Sequence, residues 1–362
     1  MYVPILKFMQ TEKDILKKYN DLFSDEIIPL IEIFSEDYTQ RFEIDPNTGK
    51  RLFNIVNGHR RYIKAKRTDN DICTIKNVID CIQEKRAFID YLRIDQDKYK
   101  NFQESKATLG ISLRNLDNYY NKLLALDYNE CFIPVVSTRK KFNDDPAKLF
   151  SLVEELKQTF PSVAFRVTAD TAIYYKNIIE KLRETDYLLF DIEETNCKAL
   201  IMEINALNQL KIAAFKIILS SPRHASYANK EFEEDSYTKL IDNSIIKDFS
   251  SNGFNGFGDY AGYKDVLPSG GIALRGSALC LLYDFSKNKF WAFTNKDTSL
   301  GANGYPEVKK RVLSREVNLN NSKNCMAYDL IHKQMKVCSH KFWIQLIIIR
   351  YIDQIKKNIR KI

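Results

Sequence analysis

Short apolar runs alternating with amphipathic segments constrain this chain more than any other feature. The runs are "YVPILK" (2–7), "IIPLIEIF" (27–34), "FIDYLRID" (88–95), "CFIPVVST" (131–138), "VAFRVTA" (163–169), "YLLFDIE" (187–193), "FKIILSS" (215–221) and a weaker "FGDYAG" (257–262). Most are continuous rather than alternating, the pattern of strands buried on both faces of a parallel sheet. Between them, segments 11–23, 74–86, 112–127, 145–160, 171–184, 197–210 and 237–249 carry helical apolar spacing. Thr11 and Asp14 resemble a capping box, and Asp145 before Pro146 resembles a helix start. Eight strands alternating with seven helices predict an α/β fold, a (β/α)8 TIM-type barrel. A doubly wound open sheet is the runner-up, but no GxGxxG follows the first run.

The barrel is expected over 1–270. Its spacing exceeds the ~30 residues of a typical strand–helix unit, mainly through 35–71, which reads as an inserted hairpin or lid at the C-terminal mouth. Residues 271–362 read as an appendage packed on the barrel. There "ALCLLYDFSKNKFWAFTN" (278–295) predicts two strands joined at "SKNK", and helical patterns follow at 323–337 and 340–360.

Composition narrows the class. With 44% hydrophobic and 28% charged residues, 12 Gly and 9 Pro, this is a folded globular chain and not a low-complexity one. The charge, 55 − 47 = +8, allows an anionic partner without requiring one. Seven cysteines, an odd number without CxxC, predict free thiols in a reducing cytoplasm. No leader-like segment opens the sequence. The run "FWIQLIIIRYI" (342–352) is too short to cross a bilayer, so no membrane partner is expected.

The interior of a small barrel is a packed apolar core. Yet charged and polar residues cluster at the strand ends: Lys7, Glu32, Arg93, Asp95, Arg166, Asp170, Asp191, Glu193, Ser220, Ser221 and Asp259. Asp191 is the sharpest case, because a lone buried carboxylate is costly unless paired. Arg166 on the next strand, with Arg93, is the expected partner. Arginines mixed with carboxylates at a barrel mouth suit an anionic substrate held by Arg, with Glu32, Asp191 and Glu193 as acid/base candidates. Lys7, Arg93, Asp95, Arg166, Asp170 and Asp259 would line the binding site. A structural ion-pair network closing the barrel is the competing explanation.

The loop "SSPRHA" (220–225) follows the seventh run, where barrels often bind phosphate. Ser220, Ser221, Arg223 and His224 are its donors, and the glycines of "SNGFNGFGDYAG" (251–262) could approach an anion closely, though each also suits a tight turn. Carboxylates could hold Mg²⁺, but their spacing does not compel a metal. Cys325, His332, Cys338 and His340 match no zinc spacing and read as surface or packing residues. "HRRYIKAKR" (59–67) could touch nucleic acid, although a basic run is more often a solvated face. HExxH, GxSxG and Walker A sequences are absent.

"MYVPILKF", "PLIEI", the paired "FRV" and "FDIEE", "ILSSP", "FGDYAG" and the closing "SHKFWIQLIII" together resemble the beta protein family of tailed phages and bacteria. The resemblance runs over nearly the whole chain. It implies a cytoplasmic single chain of phages and of bacterial loci tied to phage conflict, hence an antiviral-defence setting. It carries no reaction and no residue roles to this sequence. Two functions stay open. One is a hydrolase or lyase acting on a phosphate-containing substrate, a nucleotide or nucleic acid. The other is a non-catalytic module that senses or blocks a protein partner through 35–71 and the C-terminal appendage.

Overall fold

The computed structural model describes residues 1–100, 102–268, 277–295, 297–316, 326–333 and 340–362. Its strands are β1 (Tyr2–Lys7), β2 (Leu30–Ile33), β3 (Phe53–Val56), β4 (His59–Tyr62), β5 (Ala87–Tyr91), β6 (Phe132–Ser137), β7 (Ala164–Thr168), β8 (Tyr187–Asp191), β9 (Phe215–Ser220), β10 (Ser236–Tyr237), β11 (Gly256–Asp259), β12 (Leu279–Asp284) and β13 (Lys289–Thr294). Eight of them close a barrel in the order β1-β11-β9-β8-β7-β6-β5-β2, every neighbouring pair parallel. β1 pairs with both β2 and β11, which excludes the open sheet. The (β/α)8 TIM-type expectation therefore holds.

Strand alternation fills the barrel. Val3, Ile5, Leu30, Phe88, Val135, Leu189, Ile217 and Leu219 belong to one buried cluster inside it. The opposite faces, such as Leu6, Ile31, Phe165 and Phe190, pack under the surrounding helices. A strand between two apolar layers must be apolar throughout, hence the continuous runs. Gly258 serves closure of the ring. A Cβ there would lie 2.5 Å from the Val3 carbonyl oxygen and 2.6 Å from a Leu219 methyl.

The helices are shorter than their apolar stripes predict. Asp145 does cap the helix Pro146–Thr159, accepting from the Ala147 amide at 3.0 Å. The first helix, Gln10–Lys18, starts instead behind Met9 and has no side-chain cap, so Thr11 and Asp14 form no capping box. Within 171–184 only Lys176–Ile179 is α-helical. Thr168 and Thr171 bond each other's side chains and backbone there, which competes with helix bonds. Within 237–249 only Ile245–Asp248 is helical. Tyr237 joins a sheet instead, opposite Trp291 with ring centroids 4.5 Å apart.

The predicted hairpin at 278–295 is β12 and β13, and β10 extends it to three strands. A helix at Tyr305–Glu316 lies where the sequence reads as a polar stretch. The long helix His340–Asn358 buries Trp343, Leu346 and Tyr351. Tyr351 stacks on Phe290 and Trp343 on Tyr305. One hydrophobic core thus runs from the barrel's outer face into the hairpin and the last helix. No helix among the described residues is long and apolar enough to cross a membrane. Cys73, Cys81, Cys131, Cys197 and Cys280 are free thiols, while Cys325 and Cys338 lie outside the described residues.

Candidate functional site at the barrel mouth

The top layer of the barrel interior is polar where the layers beneath are apolar. Its centre is Arg166, the inward residue two positions past Ala164 on β7. Its Nη1 donates to Glu32 Oε1 and to Asp90 Oδ2, each at 2.8 Å. Its Nη2 and Nε donate to Asp191 Oδ2 at 2.7 and 3.1 Å. Lys7 bridges Glu32 and Asp265, both at 2.6 Å, between the rings of Tyr99 and Tyr260. Tyr260 donates to Glu32 Oε1 at 3.0 Å, and Ser137 donates to Asp90 Oδ1 at 2.8 Å. Asp191 is therefore tolerated because Arg166 neutralises it, as its place in the strand demands.

This inner ring is closed. Glu32 and Asp90 have no exposed surface, and Arg166 and Asp191 have 3% each. The void beside Asp90, Ser137, Arg166 and Asp191 is about 10 Å³, room for about one water. Burial pushes the Glu32 carboxyl up, but Lys7 and Arg166 outweigh it and hold the pKa below the ordinary value. Asp191 behaves likewise under Arg166, Lys98 and Arg139. Asp265 lies further down, with Lys7 and Lys98 against it. Asp90 is the exception, because burial outweighs the attraction of Arg166 and raises its pKa. Burial thus disfavours the ionised form of Asp90, while the neighbouring cations favour the ionised forms of Glu32 and Asp191.

An outer tier faces solvent. Glu193 sits just past β8 in the left-handed region, at φ 53°, and its amide donates to Asp191 Oδ1 at 2.9 Å. A non-glycine residue held there is strained, and such strain gathers at functional sites. The Glu193 carboxylate, 40% exposed, pairs with Arg139 and with Lys98 at 3.1 Å. Despite burial its pKa is lowered, by Lys98 and then Arg139. Lys98 also reaches Asp265 at 2.7 Å, joining the two tiers. Above them opens a cleft of about 1700 Å³, walled by Lys98, Arg139, Glu193, Arg223 and Lys264 among others.

Arg223 differs from every other buried arginine at the mouth. It is 3% exposed, and its Nε has no hydrogen-bond acceptor. Its Nη2 donates to Asn229 Oδ1 at 3.2 Å, and it lies 5.1 Å from the Phe232 ring centroid. No carboxylate pairs with it among the described residues, and burial lowers its pKa to about 10. Beside it Lys264 donates to the carbonyls of Ala225 and Tyr227. Burial, then Arg223, lowers the Lys264 pKa to about 8.

The structure brings together Lys7, Glu32, Arg166, Asp191 and Glu193, with Arg223 on the cleft wall. Ser221 is buried at the mouth, its amide donating to the Glu193 carbonyl at 2.5 Å. Asp95 and Asp170 line the cleft rim. His224 is partly exposed and 3.3 Å from Glu194. Two expectations fail. Arg93 does not reach Asp191. It lies beyond β5 and pairs with Asp144 at 2.5 and 2.7 Å, under the ring of Phe142. Asp259 faces outward on β11, accepting from Tyr2 at 2.9 Å and Tyr351 at 2.6 Å beneath the last helix. Sequence reasoning missed Asp90, Lys98, Tyr99, Arg139, Tyr260, Lys264 and Asp265. Only Asp90 had a signal, an alternation with its buried neighbour Phe88. Among the described residues no three acidic, histidine or cysteine side chains converge to hold a metal ion.

The family model described as Beta protein matches residues 2–356, so the chain belongs to the beta protein family. A comparison with curated proteins found no match.

Proposed function

We propose that this beta protein family member binds a phosphate-bearing ligand in the cleft and acts on it as a hydrolase or lyase. The observation that carries this reading is Arg223, a buried guanidinium without a carboxylate partner among the described residues, on the loop after the seventh barrel strand. A buried charge is costly unless paired, and a bound anion supplies the missing partner. Loops at this position in barrels are frequent phosphate sites. Lys264 beside Arg223 adds a second cation, so anion affinity should fall as pH rises through about 8.

The chemistry would fall to the outer tier. Glu193 is exposed and held ionised, which suits a general base taking a proton from water or a substrate hydroxyl. Asp191 holds the Glu193 amide, and Arg139 and Lys98 stand ready to move from Glu193 to developing negative charge. The buried inner ring positions this tier. Glu32 is thereby recast from acid/base group to support.

The test is a panel of nucleotides, phosphomonoesters and phosphodiesters, with and without Mg²⁺. Turnover by the wild type, reduced about 100-fold or more in Glu193→Gln with binding retained, is the expected result. Absence of turnover across the panel overturns the enzyme reading. The non-catalytic alternative rests on the saturation of the inner ring, which is also how a structural plug would look.

A further inference from the structure

The segment between β2 and the helix Thr74–Ile82 projects a two-stranded ribbon of distinctive make-up. β3 and β4 pair Phe53 with Tyr62, Asn54 with Arg61, Ile55 with Arg60 and Val56 with His59. Asn57 and Gly58 form its two-residue turn, with φ 50° and 76°, as a tight hairpin turn requires. Every residue of both strands is exposed, Phe53 by 41% and Tyr62 by 50%. Phe42 of the preceding segment lies edge-on to Tyr62, ring centroids 5.7 Å apart.

Residues 50–67 contain seven Lys and Arg and no Asp or Glu. That is +7 of the chain's +8, leaving 48 − 47 = +1 for everything else. Among the described residues none of these seven cations forms an ion pair. A solvated charged face normally interleaves acids with bases. Instead Arg51, Arg60 and Arg67 lie on rings. Arg60 is 4.8 Å from the Phe53 centroid, and Arg51 is 5.0 Å from Phe42 and 5.9 Å from Tyr62. By strand alternation Phe53, Ile55, Arg60 and Tyr62 share one face.

We propose that this face of the ribbon binds single-stranded nucleic acid. The cations would track phosphates, and Phe53 and Tyr62 would stack unpaired bases, the combination on which sequence-tolerant single-strand binding rests. Charge complementarity selects the occupant, and exposed rings favour a strand with accessible bases over a duplex. The site does not involve the cleft or Arg223.

Fluorescence anisotropy of labelled 20-nucleotide single strands and of the matching duplex tests this on the full chain. With four phosphate contacts, the wild type should bind the single strand about 50-fold more weakly at 200 mM than at 50 mM NaCl. The double variant Arg51→Ser/Arg60→Ser should flatten the salt slope by about 1.4. Phe53→Ala should weaken binding at least about 5-fold. Both variants should melt with the wild type, because the altered side chains are exposed. The proposal is overturned if the wild type does not bind at 50 mM NaCl, if the duplex binds tighter, or if either ribbon variant binds like the wild type.

Discussion

Arg166 joins three carboxylates from three strands, Glu32 on β2, Asp90 on β5 and Asp191 on β8. A ring of this kind adds little net stability over apolar packing, but removing one member strands the others without water. Arg166→Met should cost about 3–5 kcal/mol in denaturant unfolding. Asp191→Asn should also destabilise, because Asp191 is held ionised by Arg166. A melting temperature for Asp191→Asn equal to the wild type would sink this account of the ring. Acid should act in the same sense. The pKa values of Glu32, Asp191 and Asp265 are lowered on folding, so their stabilisation is present at neutral pH and lost as pH falls through those folded values. Lys7, Glu32, Arg166 and Asp191 were legible in the sequence because a charge inside an apolar run has few explanations. Arg139 and Asp265 were not, since a charged loop residue looks the same whether it turns into the mouth or into solvent.

At the scale of elements, apolar runs, most of them continuous, marked the barrel strands, the eighth only weakly, because burial on both faces favours apolar residues throughout. Short helices were less legible. Thr168 and Thr171 divert the backbone ahead of Lys176, and Tyr237 is drawn into the hairpin sheet by Trp291. Asp259 misled for a related reason. Its face is set by Gly258 and Tyr260 on either side, and a glycine gives no inside–outside signal. Its carboxylate ties the closing strand to the last helix through Tyr351. Burial raises its pKa to about 6, so the folded state holds this proton more tightly than the unfolded chain. The contribution of this group to stability should therefore fall as pH rises from about 4 to 6. Asp259→Asn removes that slope. The melting temperature of the variant relative to wild type should be higher at pH 7 than at pH 4, and an unchanged difference would contradict the assignment.

For the whole molecule, the closed barrel and the core that continues into the C-terminal helix make the mouth a rigid floor beneath an open cleft. Arg166 at the centre of the polar layer is saturated by carboxylates, while on the wall the Nε of Arg223 has no acceptor among the described residues. The sequence pointed to this loop because of its position after the seventh strand, yet could not distinguish Arg223 from His224, which lies partly exposed beside Glu194. The central claim is that Arg223 is kept unpaired for an anion. It is tested most directly by titrating inorganic phosphate into the wild type and Arg223→Met by calorimetry at pH 7, and melting both. The account predicts saturable binding by the wild type only. It also predicts that the variant melts no lower, since the substitution removes a buried charge without a partner. Equal binding by both proteins, no binding by the wild type, or a variant that melts well below it would contradict the claim.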